Sequence, residues 1–332
     1  VGLERYSRAS RYFLLSDIAH EAVYHWAWQE VATLREQLAD ASRQIDAALS
    51  FDEVVELLKS DPNYIASSEA EFLNRMRRCQ TDALDRLNGV VFDVPSQIDQ
   101  VDVQIAPPGA TLGAYYVKPS EDFSRLGSVW YAKPTDTSVY PLFDEVTTAY
   151  HEGFPGHHLQ IGLQMCLGDQ LTRAHRLAVW HDGYGEGWAL YAERLMGELG
   201  YLENPDYYLG MLRAQALRSV RVIIDIGMHL SLDIPMDSDF YPGSTWTPEL
   251  GLQFIQNRSH FPKDFVASEI DRYLGIPGQA ISYKVGERAW LQAREEAKER
   301  EGSNFNLKDW HTKALSLGGM GLAQMKRELS NI

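Results

Sequence analysis

The sequence predicts a mainly α fold with a small antiparallel β-sheet, and three observations carry that reading. Apolar residues return at helical spacing over most of the 332 residues. Only residues 96–140 hold the short alternating, aromatic and β-branched runs that make strands. A sheet that small cannot organise the core of so long a chain, so helices must supply it. Length alone allows about two domains or one larger one. The reading here is one unit over 1–332: a helical part at 1–95, the sheet at 96–140, and a second helical part at 141–332.

Residues 8–90 read as helices because Leu34, Leu38, Ile45, Leu49 and Val54-Val55 recur with charges between them. Ser67 and Ser68 ahead of Glu69 and Glu71 form a helix start, and the stretch to Leu87 is charged along one face. Strands are expected at Val101–Ile105, at Ala114–Val117 and at Ser128–Ala132, with Pro or Gly at 107, 108, 109, 113, 119 and 134 between them. From Pro141 the helical period returns. Leu142, Phe143, Val146, Ala149 and Tyr150 share a face, and so do Trp188, Tyr191, Ala192, Leu195, Met196 and Leu199. A long helix is expected from Pro205 to Leu232, and another from Pro277, which suits a first helical turn, to Arg300.

Composition removes several functional classes. Hydrophobic residues at 45% and charged residues at 23% are those of a globular chain. With 31 basic and 46 acidic residues the net charge is −15, which argues against a nucleic-acid footprint and against adhesion to anionic membranes. No run of about 18 apolar residues exists to insert in a membrane. Two cysteines, Cys79 and Cys166, exclude a disulfide framework and a four-cysteine metal site, and inert thiols are expected. They suit a cytoplasmic chain, with an exported form whose leader is removed as the other reading. Val1-Gly2-Leu3 carries neither an initiator Met nor a leader, so a preceding segment is expected.

Chemistry concentrates in Tyr150-His151-Glu152-Gly153-Phe154-Pro155-Gly156-His157-His158. His151-Glu152 begins like H-E-x-x-H, in which histidines at i and i+4 bind zinc and the Glu serves as general base on the metal-bound water. Here i+4 is Pro155. Proline cannot donate to the carbonyl of His151 and clashes with it, so the helix must break. A bulge of two residues returns His157 to the face that i+4 would occupy. His158, at i+7, lies about 10 Å along a straight helix, too far for one ion. His157 is therefore the expected second ligand, with His158 nearby; the bland alternative is a helix break carrying surface histidines. The segment from Gly183 to Glu193 offers the third ligand, Glu186. Glu193 projects from the same side of that helix but about 10 Å further on, so it is not expected to reach the same ion.

The ordered set His151-Glu152-Gly153-Phe154-Pro155-Gly156-His157-His158-Leu159-Gln160, Glu186-Gly187-Trp188-Ala189-Leu190-Tyr191, Arg272-Tyr273 and Pro277-Gly278-Gln279-Ala280-Ile281-Ser282-Tyr283-Lys284 resembles domain-of-unknown-function family 885, bacterial proteins similar to gluzincin metallopeptidases. The resemblance runs from about Tyr6 to Ile332. It implies a mostly helical fold with a central cleft, one divalent metal and a hydrolase. It also implies that Tyr283 steadies an oxyanion, since gluzincins place a Tyr or His there. Members of the family are usually longer, so a missing N-terminal segment is a possible partner of this chain.

Four polar residues, Arg218, Arg221, Asp225 and His229, share one stripe of a helix that is otherwise apolar all round. Either Asp225 and His229 orient a ligand, or the stripe is an internal salt-bridge ladder. Arg272 offers a carboxylate clamp or a surface ion pair. The strand at Gly127–Ala132, with Trp130 and Tyr131, offers an edge for an extended peptide. His20, His25, His175, His181, His260 and His311 stand singly and read as ordinary. The first expectation is thus a Zn2+-dependent hydrolase, a peptidase, acting on a peptide or small amide: His151, His157 and Glu186 hold the metal and Glu152 is the base. The second is a non-haem iron oxygenase with two histidines and one carboxylate. The third is a non-catalytic fragment that binds a partner.

Overall fold

The computed structural model describes all residues except 108, 110–112, 134–139 and 260, so the punctuation expected at Pro108 and Pro134 and the reading of His260 lie outside the described residues. The fold is mainly α with two small sheets. Helices α1 (Leu3–Leu14), α2 (His20–Ile45), α3 (Phe51–Ser60) and α4 (Glu69–Leu87) come first, with the two-residue strand β1 (Ile65–Ala66) before α4. Local chemistry sets their starts. Ser50 and Glu53 close a reciprocal capping box on α3, and the Ser68 hydroxyl accepts from the backbone N–H of Glu71 to open α4.

Strands β2 (Val101–Ile105), β3 (Tyr115–Val117) and β4 (Gly127–Tyr131) follow, then β5 (Tyr140–Pro141), which pairs antiparallel with β1. The three-stranded sheet has the order β2-β4-β3, with β4 parallel to β2 and antiparallel to β3. The sheet is therefore mixed, not wholly antiparallel as expected. Because β2 and β3 run in opposite directions, β4 between them can oppose only one of the two. This also corrects the expectation that Gly127–Ala132 offers an open edge: both sides of β4 are paired, and β2 and β3 are the edge strands.

The second helical part contains α5 (Glu145–Glu152), α6 (His157–Cys166), α7 (Arg173–Ala178), α8 (Asp182–Glu198), α9 (Pro205–Leu230), α10 (Pro248–Ser259), α11 (Lys263–Gly275), α12 (Ser282–Glu301), α13 (Leu307–Leu315) and α14 (Leu322–Leu329). α9 stops at Leu230 because Ser231 turns left-handed at φ 53°. α12 starts at Ser282 and not at Pro277, since Pro277-Gly278 belong to a turn in which Gly278 takes φ 80° against the backbone of Ser10. The apolar core is continuous from Tyr6 to Leu329. α2 lies along α9, and α8 along α12. The second pair approaches closely through glycines: a Cβ on Gly187 would stand 2.4 Å from the carbonyl carbon of Gly286. That contact brings Glu186 of α8 and Tyr283 of α12 to one cleft of about 810 Å³. No helix is long and apolar enough to cross a membrane, among the described residues.

Candidate metal centre

The break that Pro155 demands lies between α5, which ends at Glu152, and α6, which starts at His157. Gly156 is required there, because a Cβ on it would sit 1.9 Å from the carbonyl oxygen of His151. The loose backbone groups find partners in buried Gln80 of α4. Its Nε2 donates to the Ala149 carbonyl at 2.7 Å, and its Oε1 accepts from the Phe154 N–H at 2.6 Å. Trp188 of α8 donates to the Pro155 carbonyl at 2.9 Å. The turn is thus fastened to two neighbouring helices.

The result is a pair of buried imidazoles, His151 and His157, with ring centres 4.8 Å apart and planes at 86°. Glu186 Oε2 lies 3.4 Å from Nε2 of His151 and 3.5 Å from Nε2 of His157. It is buried and makes no hydrogen bond. Donors about 2.0–2.2 Å from one tetrahedral zinc stand about 3.3–3.6 Å apart, so these spacings match two edges of a metal's coordination shell. Glu152 is close as well: its carboxylate and the two imidazoles offer ligand atoms all within 4.8 Å of one another. The buried His-Glu-His group can bind a metal. Of the two acids, Glu186 places one oxygen near-equidistant from both nitrogens, and Glu152 stands beside the pair.

Behind the cluster, Nδ1 of His151 meets Glu193 Oε1 at 2.6 Å, and Glu193 Oε2 accepts from Thr147 at 2.9 Å. Glu193 is two helical turns past Glu186, and sequence reasoning missed this partnership. The signal was present: Thr147 stands four residues before His151, and Glu193 seven after Glu186, each on the ligand's own helix face. Burial alone would lower the pKa of His151; Glu186 and Glu193 override it and push it up to about 9. Trp180 packs edge-on to His157 at 5.5 Å and lines the cleft.

The other expected residues separate into two groups. Tyr283 lines the cleft, and its ring carries the Arg221 guanidinium at 4.9 Å. Burial first, then Glu186, pushes its phenol up to about 12, so it stays a donor at neutral pH. Arg272 lines the cleft but is bound to Glu269 and Gln279. His158 points elsewhere: its Nδ1 meets the Tyr116 hydroxyl and its Nε2 the Ile98 carbonyl, both at 2.9 Å, and burial lowers it to about 4. Asp225 and His229 are not on the cleft. Asp225 accepts from Tyr6 at 2.6 Å and from the Gly278 N–H at 2.9 Å, and His229 meets the Tyr273 carbonyl at 3.0 Å. They tie α1, α9 and the Pro277 turn together because the stripe, one residue per turn, swings away from the site beyond Arg221. Trp130 and Tyr131 are likewise off the cleft, as β4 is the central strand; Trp130 bonds Ser128, and Tyr131 is buried against Phe72. Cys79 and Cys166 are held up at about 11 by burial, hence protonated.

The family described as "Bacterial protein of unknown function (DUF885)" matches residues 2–329, and the chain belongs to it. Among solved structures, a "putative lipoprotein" of Colwellia psychrerythraea superposes with TM-score 0.85 at 29% identity, covering 99% of this chain and 55% of that one. A second, of unknown function, from Shewanella oneidensis gives TM-score 0.77 at 18% identity, over 98% of this chain and 59% of that one. The chain therefore spans little more than half the length of the proteins it resembles. No curated protein matches it.

Proposed function

For this member of that family we propose a zinc-dependent hydrolase, a peptidase by preference, with His151, His157 and Glu186 as the metal ligands. The observation that supports the reading is the orphaned Glu186 oxygen, 3.4 and 3.5 Å from two imidazole nitrogens, with a second carboxylate adjacent. Bound zinc would polarise a scissile carbonyl and lower the pKa of water toward neutrality. Glu152, half-buried at the end of α5, takes the proton from the attacking water and delivers it to the leaving amine. Tyr283, neutral at working pH, donates to the oxygen that gains charge. Glu193 fixes His151 with Nε2 toward Glu186, where it would be free to hold the metal.

A peptide reading also suits the cleft wall. Among the described residues β3 pairs only with β4, and Tyr115 and Tyr116 of β3 line the cleft. An extended substrate can add to that edge by main-chain bonds. Elemental analysis of purified protein tests the reading together with peptide hydrolysis before and after a strong chelator. Stoichiometric zinc and chelator-sensitive cleavage are expected. Protein without zinc whose activity survives chelation overturns it.

A further inference from the structure

The cleft that holds the histidine–glutamate cluster is also lined by Arg218 and Arg221 of α9 and by Glu269 and Arg272 of α11. Arg221 reaches Glu269 Oε2 at 2.7 Å, and Arg272 reaches the same oxygen at 2.9 Å. One carboxylate thus already serves two guanidinium groups. Arg218 is a third. It makes no hydrogen bond or ion pair among the described residues, and its Nε is buried without a partner. Of the other acids on this wall, Asp144 feels the charge of Arg218 but makes its ion pair with Arg213. Burial, reinforced by neighbouring Asp144, pushes Glu145 up to about 8, leaving it largely neutral at pH 7.

A half-buried guanidinium that makes no direct bond is costly unless something completes it. Its planar fork fits a carboxylate by two parallel bonds. Arg218 stands one helical turn from Arg221, on which Tyr283 rests, and Tyr283 also feels the charge of Glu186. The unanswered cation is therefore next to the groups that would act on a scissile bond.

We propose that Arg218 anchors a carboxylate of the substrate, so that the cleft selects peptides presenting a carboxylate close to the bond to be cut. The proposal rests on the peptidase reading and refines it. Arg272, which the sequence offers as clamp, is already committed to Glu269 and Gln279. The carboxylate can be the peptide's C-terminus or an Asp or Glu side chain, and both present the same group.

Binding separates this from the chemistry. In the Glu152→Gln protein, calorimetric titration with one N-acetylated tripeptide as free acid and as amide is expected to favour the acid about 10- to 100-fold, the range of a charge-assisted pair. Amidated peptides with Glu or Gln inside the sequence provide the side-chain arm, and the arm that shows the preference identifies the source. Adding Arg218→Gln should abolish the preference by lowering binding of the carboxylate peptide to that of its uncharged counterpart, and Arg218→Lys should restore part of it. Equal binding of acids and amides in both arms, no binding of any peptide, or a preference that survives Arg218→Gln overturns the proposal. The two readings fail separately: hydrolysis without carboxylate preference removes the anchor only, and carboxylate preference in a metal-free, inactive parent removes the hydrolase only.

Discussion

Glu193 and His151 share a hydrogen bond of 2.6 Å between a carboxylate oxygen and Nδ1, deep between α5 and α8. It fixes the imidazole's orientation, so that Nε2 faces Glu186 and His157.

Glu152→Gln should retain the metal and lower turnover by at least about 10²-fold, the usual contribution of a general base. Metal content by elemental analysis and cleavage of one peptide by both proteins decide the point. Near-parental turnover would remove Glu152 from the chemistry.

Glu186→Ala should bind metal far more weakly, because a ligand is lost. Glu193→Ala should also weaken it, by about 10- to 100-fold, although Glu193 does not touch the ion: the orientation of His151 is lost. Competitive zinc titration orders the variants. Parent-like affinity in Glu193→Ala would show that the ring is held by packing alone.

His157→Ala should lose the metal, while His158→Ala should keep it. The His158 ring nitrogens are occupied by Tyr116 and Ile98, so its removal is expected to show as a lower melting temperature. Metal titration and thermal melts of both proteins measure this, and the opposite pattern would mean the wrong imidazole had been assigned.

Gly156→Ala should disrupt the site without removing any functional group. Its Cβ would stand 1.9 Å from the His151 carbonyl oxygen and 2.4 Å from that of Tyr150, so the turn must move. A stability loss of about 1–3 kcal/mol is expected, with weakened zinc binding. Unchanged denaturation and zinc affinity would contradict the packing described.

Asp225→Asn tests a buried acid away from the cleft. Burial pushes Asp225 up to about 7 from 3.8, despite its bonds from Tyr6 and Gly278. The folded state then holds a proton that the unfolded state releases, so stability falls as pH rises from about 4 to about 7. Denaturation midpoints across that window should slope downward in the parent and flatten in Asp225→Asn; equal slopes would dismiss the assignment.

Sequence alone determined the helical class, the helix start at Ser68, and the break at Pro155, because each depends on local rules: periodicity, a side chain capping its own turn, a ring that cannot donate. It also singled out His151, Glu152, His157 and Glu186, since their spacing carries the chemistry. The tertiary structure decided what depends on neighbours distant in sequence. Strand order made β4 central and left β2 and β3 as the edges, of which β3 borders the cleft. Gln80 satisfied the broken helix, 69 residues from its partner Ala149. Glycine contact between α8 and α12 brought Tyr283 to Glu186's cleft. The same helix stripe was divided by its surroundings: Arg218 and Arg221 line the cleft, whereas Asp225 and His229 fasten α9 to α1 and to the end of α11. A residue's face follows from its position in a helix; what that face meets follows only from the packing of the rest.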